Sequence, residues 1–217
     1  MIVTIDGPAG AGKSSAAREL ARRLGFRFLD TGAMYRAVTL AARERGCDLA
    51  DGAQLARTAG EICVELIDDR VYLDGRDVTS AIRKFDITTM IHYAADNAAV
   101  REQLVLWQRA AAKGSNVVTE GRDQGTVVFP DAECKIFLIA DEEERARRRH
   151  LDLQARGEDI PFEEVLANQR LRDERDGSRA VGALRKADDA IEFSTDGLSP
   201  DEVVGRLESI VRSRQPK

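Results

Sequence analysis

Eight residues near the start of the 217-residue sequence have the types and spacing of a phosphate-binding loop, or P-loop. They fit Gly-x-x-x-x-Gly-Lys-Ser, in which glycines let successive backbone N–H groups turn toward phosphate oxygens. In such a loop Lys13 reaches the β- and γ-phosphates of ATP, and the Ser14 hydroxyl binds Mg²⁺ as the cofactor. The predicted ATP-binding residues are Gly7, Pro8, Ala9, Gly10, Ala11, Gly12, Lys13, Ser14 and Ser15.

A second Mg²⁺-binding group is expected at the end of an apolar strand, where a carboxylate holds the metal shell. Glu120 occupies such a position after Val117–Thr119. Asp141 follows another apolar run and competes for the role, but it also suits the N-cap of the next helix, with Glu144 completing a capping box. We therefore predict a metal site of Ser14 and Glu120, with Asp141 as the alternative.

Arginines in several places could neutralise phosphate groups, because the guanidinium fork matches phosphate oxygens. Any one of them also fits a solvated surface charge, and the run after Glu142–Glu144 also fits local ion pairs. Arg122 differs, because it follows a strand at the edge where parallel sheets place their ligands. The candidates are Arg36, Arg122, the run Arg145 to Arg149, and the set Arg170, Arg172, Arg175 and Arg179.

The elements that must position these residues alternate between strand and helix. Ile2–Ile5 is a predicted strand before the loop, and Ser14–Leu24 a predicted helix after it. A long helix is predicted over about 95–113, and a last one from Ser199. This alternation predicts an α/β fold of three layers, with helices on both faces of a central parallel sheet.

One stretch departs from the alternation. Residues from about 62 to 78 have the pattern of short antiparallel strands, with a turn at Asp68-Asp69, and predict a small β insert. Asp51 is the predicted N-cap of the short helix before it. A charged region, about 157–186, is predicted to connect to the last strand.

Composition sets outer limits on function. The sequence is 43% hydrophobic and 33% charged, which suits one globular domain. The net charge of −5 argues against a nucleic-acid partner. No targeting signal is recognisable, and no apolar run approaches the ~20 residues that span a bilayer. We expect a cytoplasmic protein without a membrane partner.

Four blocks together resemble bacterial cytidylate kinases, within the P-loop nucleoside monophosphate kinases. The block Gly-Arg-Asp-x-Gly-Thr-Val-Val-Phe-Pro is more specific than the P-loop itself, and the resemblance is co-linear over nearly the whole chain. The blocks are 5–14, 29–36, 120–132 and 172–179. No Asn-Lys-x-Asp guanine motif of a GTPase is present.

The resemblance implies transfer of a phosphoryl group from ATP to CMP or dCMP, in pyrimidine nucleotide metabolism, by a monomer. It implies one P-loop kinase domain over 1–217. Its core would be 1–30, 95–140 and 187–217, its monophosphate-binding region with the β insert about 31–94, and its helical lid about 145–160.

The resemblance also implies individual roles. Arg36, Arg122 and Arg179 would hold the CMP phosphate, Arg172 and Asp176 the sugar, and Arg101 and Asp123 the cytosine edge, with Thr31 completing the substrate set. Lys13, Arg122 and Arg148 would be catalytic. The Asp123 assignment makes chemical sense, because a carboxylate accepts a hydrogen bond from the cytosine amine and repels the carbonyl of uracil. Residues 194–198 would border the adenine.

Two positions depart from the family pattern. His92 lies near a position where a small hydroxyl residue often contacts the base, and Glu120 stands where many relatives have aspartate. A kinase for another small acceptor, such as shikimate or dephospho-coenzyme A, and a non-enzymatic nucleotide-binding regulator remain the alternatives.

Overall fold

The structure, a computed structural model, describes residues 1–67, 70–155 and 157–215. Contacts between residues divide the chain into two units, Met1–Phe28 with Ser115–Lys217, and Leu29–Gly114. The predicted turn Asp68-Asp69, and position 156 of the predicted lid, lie outside the described residues.

The strands, in chain order, are β1 (Ile2–Asp6), β2 (Arg27–Asp30), β3 (Val64–Ile67), β4 (Arg70–Leu73), β5 (Arg76–Asp77), β6 (Val117–Gly121), β7 (Cys134–Ile139) and β8 (Ile191–Ser194). The helices are α1 (Lys13–Leu24), α2 (Thr31–Glu44), α3 (Gly52–Glu61), α4 (Phe85–Asp96), α5 (Ala98–Ala112), α6 (Glu142–Ala155), α7 (Phe162–Ser178) and α8 (Pro200–Arg214). A single 3₁₀ turn, Ala81–Arg83, precedes α4, and a π-helical turn, Gln124–Val128, follows β6.

Among the described residues, five strands form one sheet in the order β2-β6-β1-β7-β8. Strand β1 pairs in parallel with β6 and β7, and β8 pairs in parallel with β7. Apolar side chains of β1 and β7, such as Ile5 and Leu138, pack with Leu20 of α1 and Leu207 of α8 in a common buried core. The predicted α/β fold with a central parallel sheet is confirmed. The carboxyl ends of β1 and β6 lie side by side, with Asp6 opposite Gly121.

The predicted β insert is confirmed as the antiparallel sheet β3-β4-β5. The long helix predicted over 95–113 is wrong at its start, because it begins at Ala98. The Asn97 side chain accepts a hydrogen bond from the Val100 N–H at 3.1 Å and separates α5 from α4. The charged region 157–186, in which no element was predicted, contains the 17-residue helix α7.

Three predicted caps have different outcomes. Asp51 caps α3 and Ser199 caps α8, as expected. Ser199 also forms a full capping box with Glu202, which was not predicted. Asp141 does accept from the N–H groups of Glu143 and Glu144, at 2.9 and 3.3 Å. The Asp141 N–H, however, donates to the Asp196 carboxylate at 2.9 Å, so the predicted box with Glu144 is only half formed.

Within the part of the chain that the structure describes, no helix is long and apolar enough to cross a membrane.

Candidate active site

The P-loop turns tightly between β1 and α1 because its glycines take conformations that other residues avoid. Gly7 has a φ of 149°, and a β-carbon there would lie 2.0 Å from the backbone oxygen of Leu138. Gly12, directly before α1, has a φ of 84° in the left-handed region. The loop therefore lies against β7 and ends at the N-terminus of α1, where the helix dipole favours anions.

Lys13 is buried beside this loop, and its Nζ donates to the Pro8 carbonyl at 2.6 Å. Burial, followed by repulsion from Arg122, lowers the pKa of Lys13 to about 7, while Glu120 acts in the opposite direction. An anion bound in the loop would favour the charged amine and raise this pKa again.

Ser14 and Glu120 meet at the same end of the sheet. The Ser14 hydroxyl donates to Oε1 of Glu120 at 3.1 Å, and Glu120 is buried. Two hard oxygen donors this close suit Mg²⁺, which binds few protein groups and takes its other ligands from phosphates and water. The described residues contain no group of three or more His, Cys, Asp or Glu arranged to hold an ion. The alternative ligand, Asp141, caps α6.

Two arginines converge on the carboxylate of Asp176. Arg122 Nε donates to its Oδ2 and Arg179 Nη2 to its Oδ1, each at 2.6 Å. Burial raises the pKa of Asp176, but Arg122, Arg172 and Arg179 outweigh it and hold the pKa at about 2. The Asp176 carboxylate thus holds two arginines in place, and Glu120 and Asp173 also attract Arg122. Guanidinium groups held in this way can bind an anionic ligand.

Asp6, which the sequence reading did not select, holds the loop after β6 in place. Its Oδ1 accepts from the Gln124 N–H at 2.9 Å, and its Oδ2 from the Gly125 N–H at 2.8 Å. Burial raises the pKa of Asp6 to about 7, against the lowering effect of these two hydrogen bonds. The contact fixes the π-helical turn directly after Arg122 and the buried Asp123. The sequence did contain a signal for Asp6, because an aspartate at the end of a buried strand, next to the P-loop, is a candidate for such a role.

The arginine run on α6 divides between two sets of partners. Arg145 is buried, and its Nη1 donates to the Ala9 carbonyl of the P-loop at 2.8 Å and to Asp173 at 2.6 Å. Arg148, the predicted catalytic arginine, donates to Glu144 at 3.0 Å and to the Thr195 hydroxyl at 2.9 Å. In this structure Arg145 is thus the arginine held at the P-loop, and the catalytic role of Arg148 stays a prediction.

The second unit carries the other predicted substrate residues. Thr31 is the buried first residue of α2, and Arg36, one turn later, donates to Asp30 at 3.3 Å. Arg101 of α5 is buried, donates to the Ala95 carbonyl at 3.1 Å, and lies 5.7 Å from the ring centre of Tyr35. Their roles in substrate binding stay predictions.

His92, one of the two residues that depart from the family pattern, lies on α4. The His92 side chain is half-buried, and its Nδ1 lies 2.8 Å from the Thr89 carbonyl on the same helix. Its ring lies 4.2 Å from the ring of Tyr93, also on α4.

The parallel sheet, the glycine loop before α1 and the small β insert define a P-loop kinase. A shikimate kinase from Bacteroides thetaiotaomicron, 14% identical over 98% of each chain with a TM-score of 0.50, is similar in fold alone.

The cytidylate kinase family model matches residues 3–213. The chain is 53% identical to a cytidylate kinase of Rhodopirellula baltica, over 98% of this chain and 93% of the other. It is 45% identical to a cytidylate kinase of Geobacter sulfurreducens, over 99% of this chain and 94% of the other. The chain therefore belongs to the cytidylate kinase family.

Proposed function

We propose that this protein transfers the γ-phosphoryl group of ATP to CMP and dCMP, giving CDP and dCDP, with Mg²⁺ as cofactor. One observation carries the proposal: Arg122 and Arg179 are fixed on the single buried carboxylate of Asp176, in a chain that also has a P-loop. Such a cluster matches a phosphate monoester as acceptor better than an uncharged alcohol. The identity of 53% to a cytidylate kinase supports cytidine as the base.

The proposed ATP site consists of the P-loop and the residues beside it. The N–H groups of the P-loop and the Lys13 amine would bind the phosphates of ATP, and Ser14 with Glu120 would hold Mg²⁺. The metal, when bound, supplies positive charge beside the transferring phosphoryl group. Lys13 and Arg122 would stabilise the charge that develops there.

The acceptor needs little chemical activation. A CMP phosphate oxygen is already ionised at neutral pH, so direct in-line transfer requires no strong general base. The protein would contribute position and charge. Arg36, Arg122 and Arg179 would bind the acceptor phosphate, Arg172 and Asp176 the sugar, and Arg101 and Asp123 the base. The predicted lid at 145–160 would keep water away from the transferring group.

The experiment is a coupled assay of ADP release across acceptors, with and without Mg²⁺. We expect turnover with CMP and dCMP, weak turnover with UMP, and none with AMP, shikimate or dephospho-coenzyme A. Preferential turnover of shikimate or dephospho-coenzyme A would replace the proposed acceptor. Tight ATP binding without transfer to any acceptor would indicate a nucleotide-binding regulator instead.

Two variants probe the acceptor side. Arg122→Ala should leave ATP binding nearly intact and impair transfer to CMP, whereas equal loss of both would assign Arg122 elsewhere. Asp123→Ala should narrow the preference for CMP over UMP, and an unchanged ratio would reject its role in reading the base. The monomeric state, the cytoplasmic location and the absence of nucleic-acid or membrane partners stay predictions from the sequence.

A further inference from the structure

The carboxylate of Asp173 on α7 takes a backbone donor of the P-loop. Its Oδ1 accepts from the Ala9 N–H at 3.3 Å, and its Oδ2 accepts from Arg145 Nη1 at 2.6 Å. The same Nη1 donates to the Ala9 carbonyl at 2.8 Å. Both polar groups of one P-loop residue are thus engaged by this ion pair, and the Asp173 side chain is only 22% exposed.

The position of this carboxylate matters because of what the loop is built to bind. Backbone N–H groups of a glycine-rich loop bind anionic oxygens, and the Ala9 N–H already donates to a carboxylate oxygen of Asp173. A phosphate oxygen and this carboxylate cannot both accept from the Ala9 N–H at close range, because like charges repel. A triphosphate that enters the loop must therefore displace Asp173.

Helix α7 connects this contact to the predicted acceptor residues. Asp176, one turn after Asp173 on the same helix, fixes Arg122, and Arg172 immediately precedes Asp173. Gln169, one turn before, donates to the Glu142 carbonyl at 3.1 Å and lies close to Gly10 of the P-loop. Loss of the hydrogen bond between Asp173 and Ala9 therefore removes one of the contacts between α7 and the P-loop.

We propose that Asp173 is a positioning residue that competes with the triphosphate for the P-loop and links donor binding to helix α7. The proposal rests on the proposed function, because it takes ATP as the donor and CMP as the acceptor. A purely structural role for Asp173 predicts weaker ATP binding when the residue is changed. The competition predicts the opposite, a gain in affinity.

The test is calorimetry with Asp173→Asn, which keeps the size of the side chain and an oxygen acceptor but removes the charge. Arg145 retains its bonds to the carbonyls of Ala9 and Ala140, at 2.8 and 3.1 Å, so it stays at the loop. We expect the Kd for ATP to fall by about tenfold, close to the lower end of the effect of one charge-assisted hydrogen bond. Glu174→Gln, an exposed neighbour on α7, is the matched control for charge and should leave the Kd unchanged.

A second readout is the Kd for CMP with and without a non-hydrolysable ATP analogue. In the wild type, the Kd for CMP should differ between the protein with and without the analogue. In Asp173→Asn, the Kd for CMP measured without the analogue should already be close to the Kd measured with the analogue. If the Asp173→Asn variant does not fold, the Asp173→Ser variant, which lacks the same charge, is used instead in both measurements.

Each other outcome is decisive. An ATP Kd that is unchanged or weaker in the variant, or equally tightened by Glu174→Gln, would overturn the competition. A tighter ATP Kd with an unaltered response of CMP binding would overturn the link to α7. Wild-type protein that binds no ATP would overturn the proposed function, and the inference with it.

Discussion

Nε of Arg122 lies 2.6 Å from Oδ2 of Asp176, and this ion pair joins the loop after β6 to helix α7 across 54 residues of sequence. Both side chains are largely buried, at 16% and 9% exposure. A buried ion pair is costly to break, because either partner alone is left as an uncompensated charge. The position of the predicted acceptor arginine therefore depends on a residue from a different part of the chain.

The ion pair between Arg122 and Asp176 should make the free energy of unfolding decrease as the solution becomes acidic. The pKa of Asp176 lies at about 2, below its ordinary 3.8, so its contribution is fully present above about pH 4 and is lost as the pH falls toward 2. The difference between these two pKa values corresponds to about 2 to 3 kcal/mol in the free energy of unfolding. In urea unfolding, Asp176→Asn should be less stable than wild type at neutral pH, and the gap should narrow in acid. The exposed Asp188→Asn is the control, and a gap that stays constant down to pH 3 would contradict the prediction.

ATP binding should take up a proton at Lys13. The pKa of this amine is lowered to about 7 by burial, and bound phosphates would raise it, so a mostly neutral amine becomes charged on binding at about pH 8. Phosphate groups are fully ionised there and add no proton of their own. Calorimetry in buffers of different ionisation enthalpy should show uptake approaching one proton. Uptake should vanish in Lys13→Arg, which stays charged. Equal uptake by that variant would assign the proton to another group.

The Ser14–Glu120 contact predicts a specific metal defect. Glu120→Gln removes the negative oxygen but keeps the size of the side chain, so the apparent Mg²⁺ affinity in the kinase assay should fall about 10- to 100-fold. ATP binding measured without Mg²⁺ should be little changed. Glu120→Asp retains the charge and should recover most of the activity. A glutamine variant with normal Mg²⁺ dependence would return Asp141 to consideration as the metal ligand.

The close approach of Gly7 to β7 predicts a large loss of stability. In Gly7→Ala the new β-carbon would lie 2.0 Å from the Leu138 oxygen, a contact that forces the backbone apart. We expect a loss of about 3 kcal/mol or more in the free energy of unfolding. Gly205→Ala, inside α8 with open space around the position, should instead add about 0.5–1 kcal/mol. Similar unfolding midpoints for the two variants would contradict the assigned contact.

The sequence was sufficient for elements and residues with a local signal. The P-loop, the parallel sheet and the β insert follow from spacing and periodicity, and Glu120 was selected by its place after an apolar strand. Helix α7 has no such signal, because its own charged residues are spread over most of its faces and leave no continuous apolar face. It is held by ion pairs with distant residues, such as Arg145 to Asp173 and Arg170 to Glu142.

Asp6 and Asp173 were missed, and Arg145 was not distinguished from the rest of its run, for a related reason. Each lies beside a recognisable motif, but what each contacts is fixed by the packing of elements that are far apart in sequence. Asp6 meets Gln124 only because β1 and β6 are neighbours in the sheet. A motif identifies residue types at a spacing, whereas these contacts depend on strand order and helix placement.

The central place of β1 also bears on how the chain acquires its fold during synthesis. The strand that carries the P-loop pairs with β6 and β7, so its first partner, Val117, is 115 residues away from Ile2. No hairpin with its nearest neighbour in sequence can shield it, because β6 lies between β1 and β2. During synthesis, β1 therefore has no strand partner at either edge until the chain has been translated at least as far as Val117. Such long-range pairing slows folding, and an apolar strand exposed for that interval is a natural substrate for chaperones.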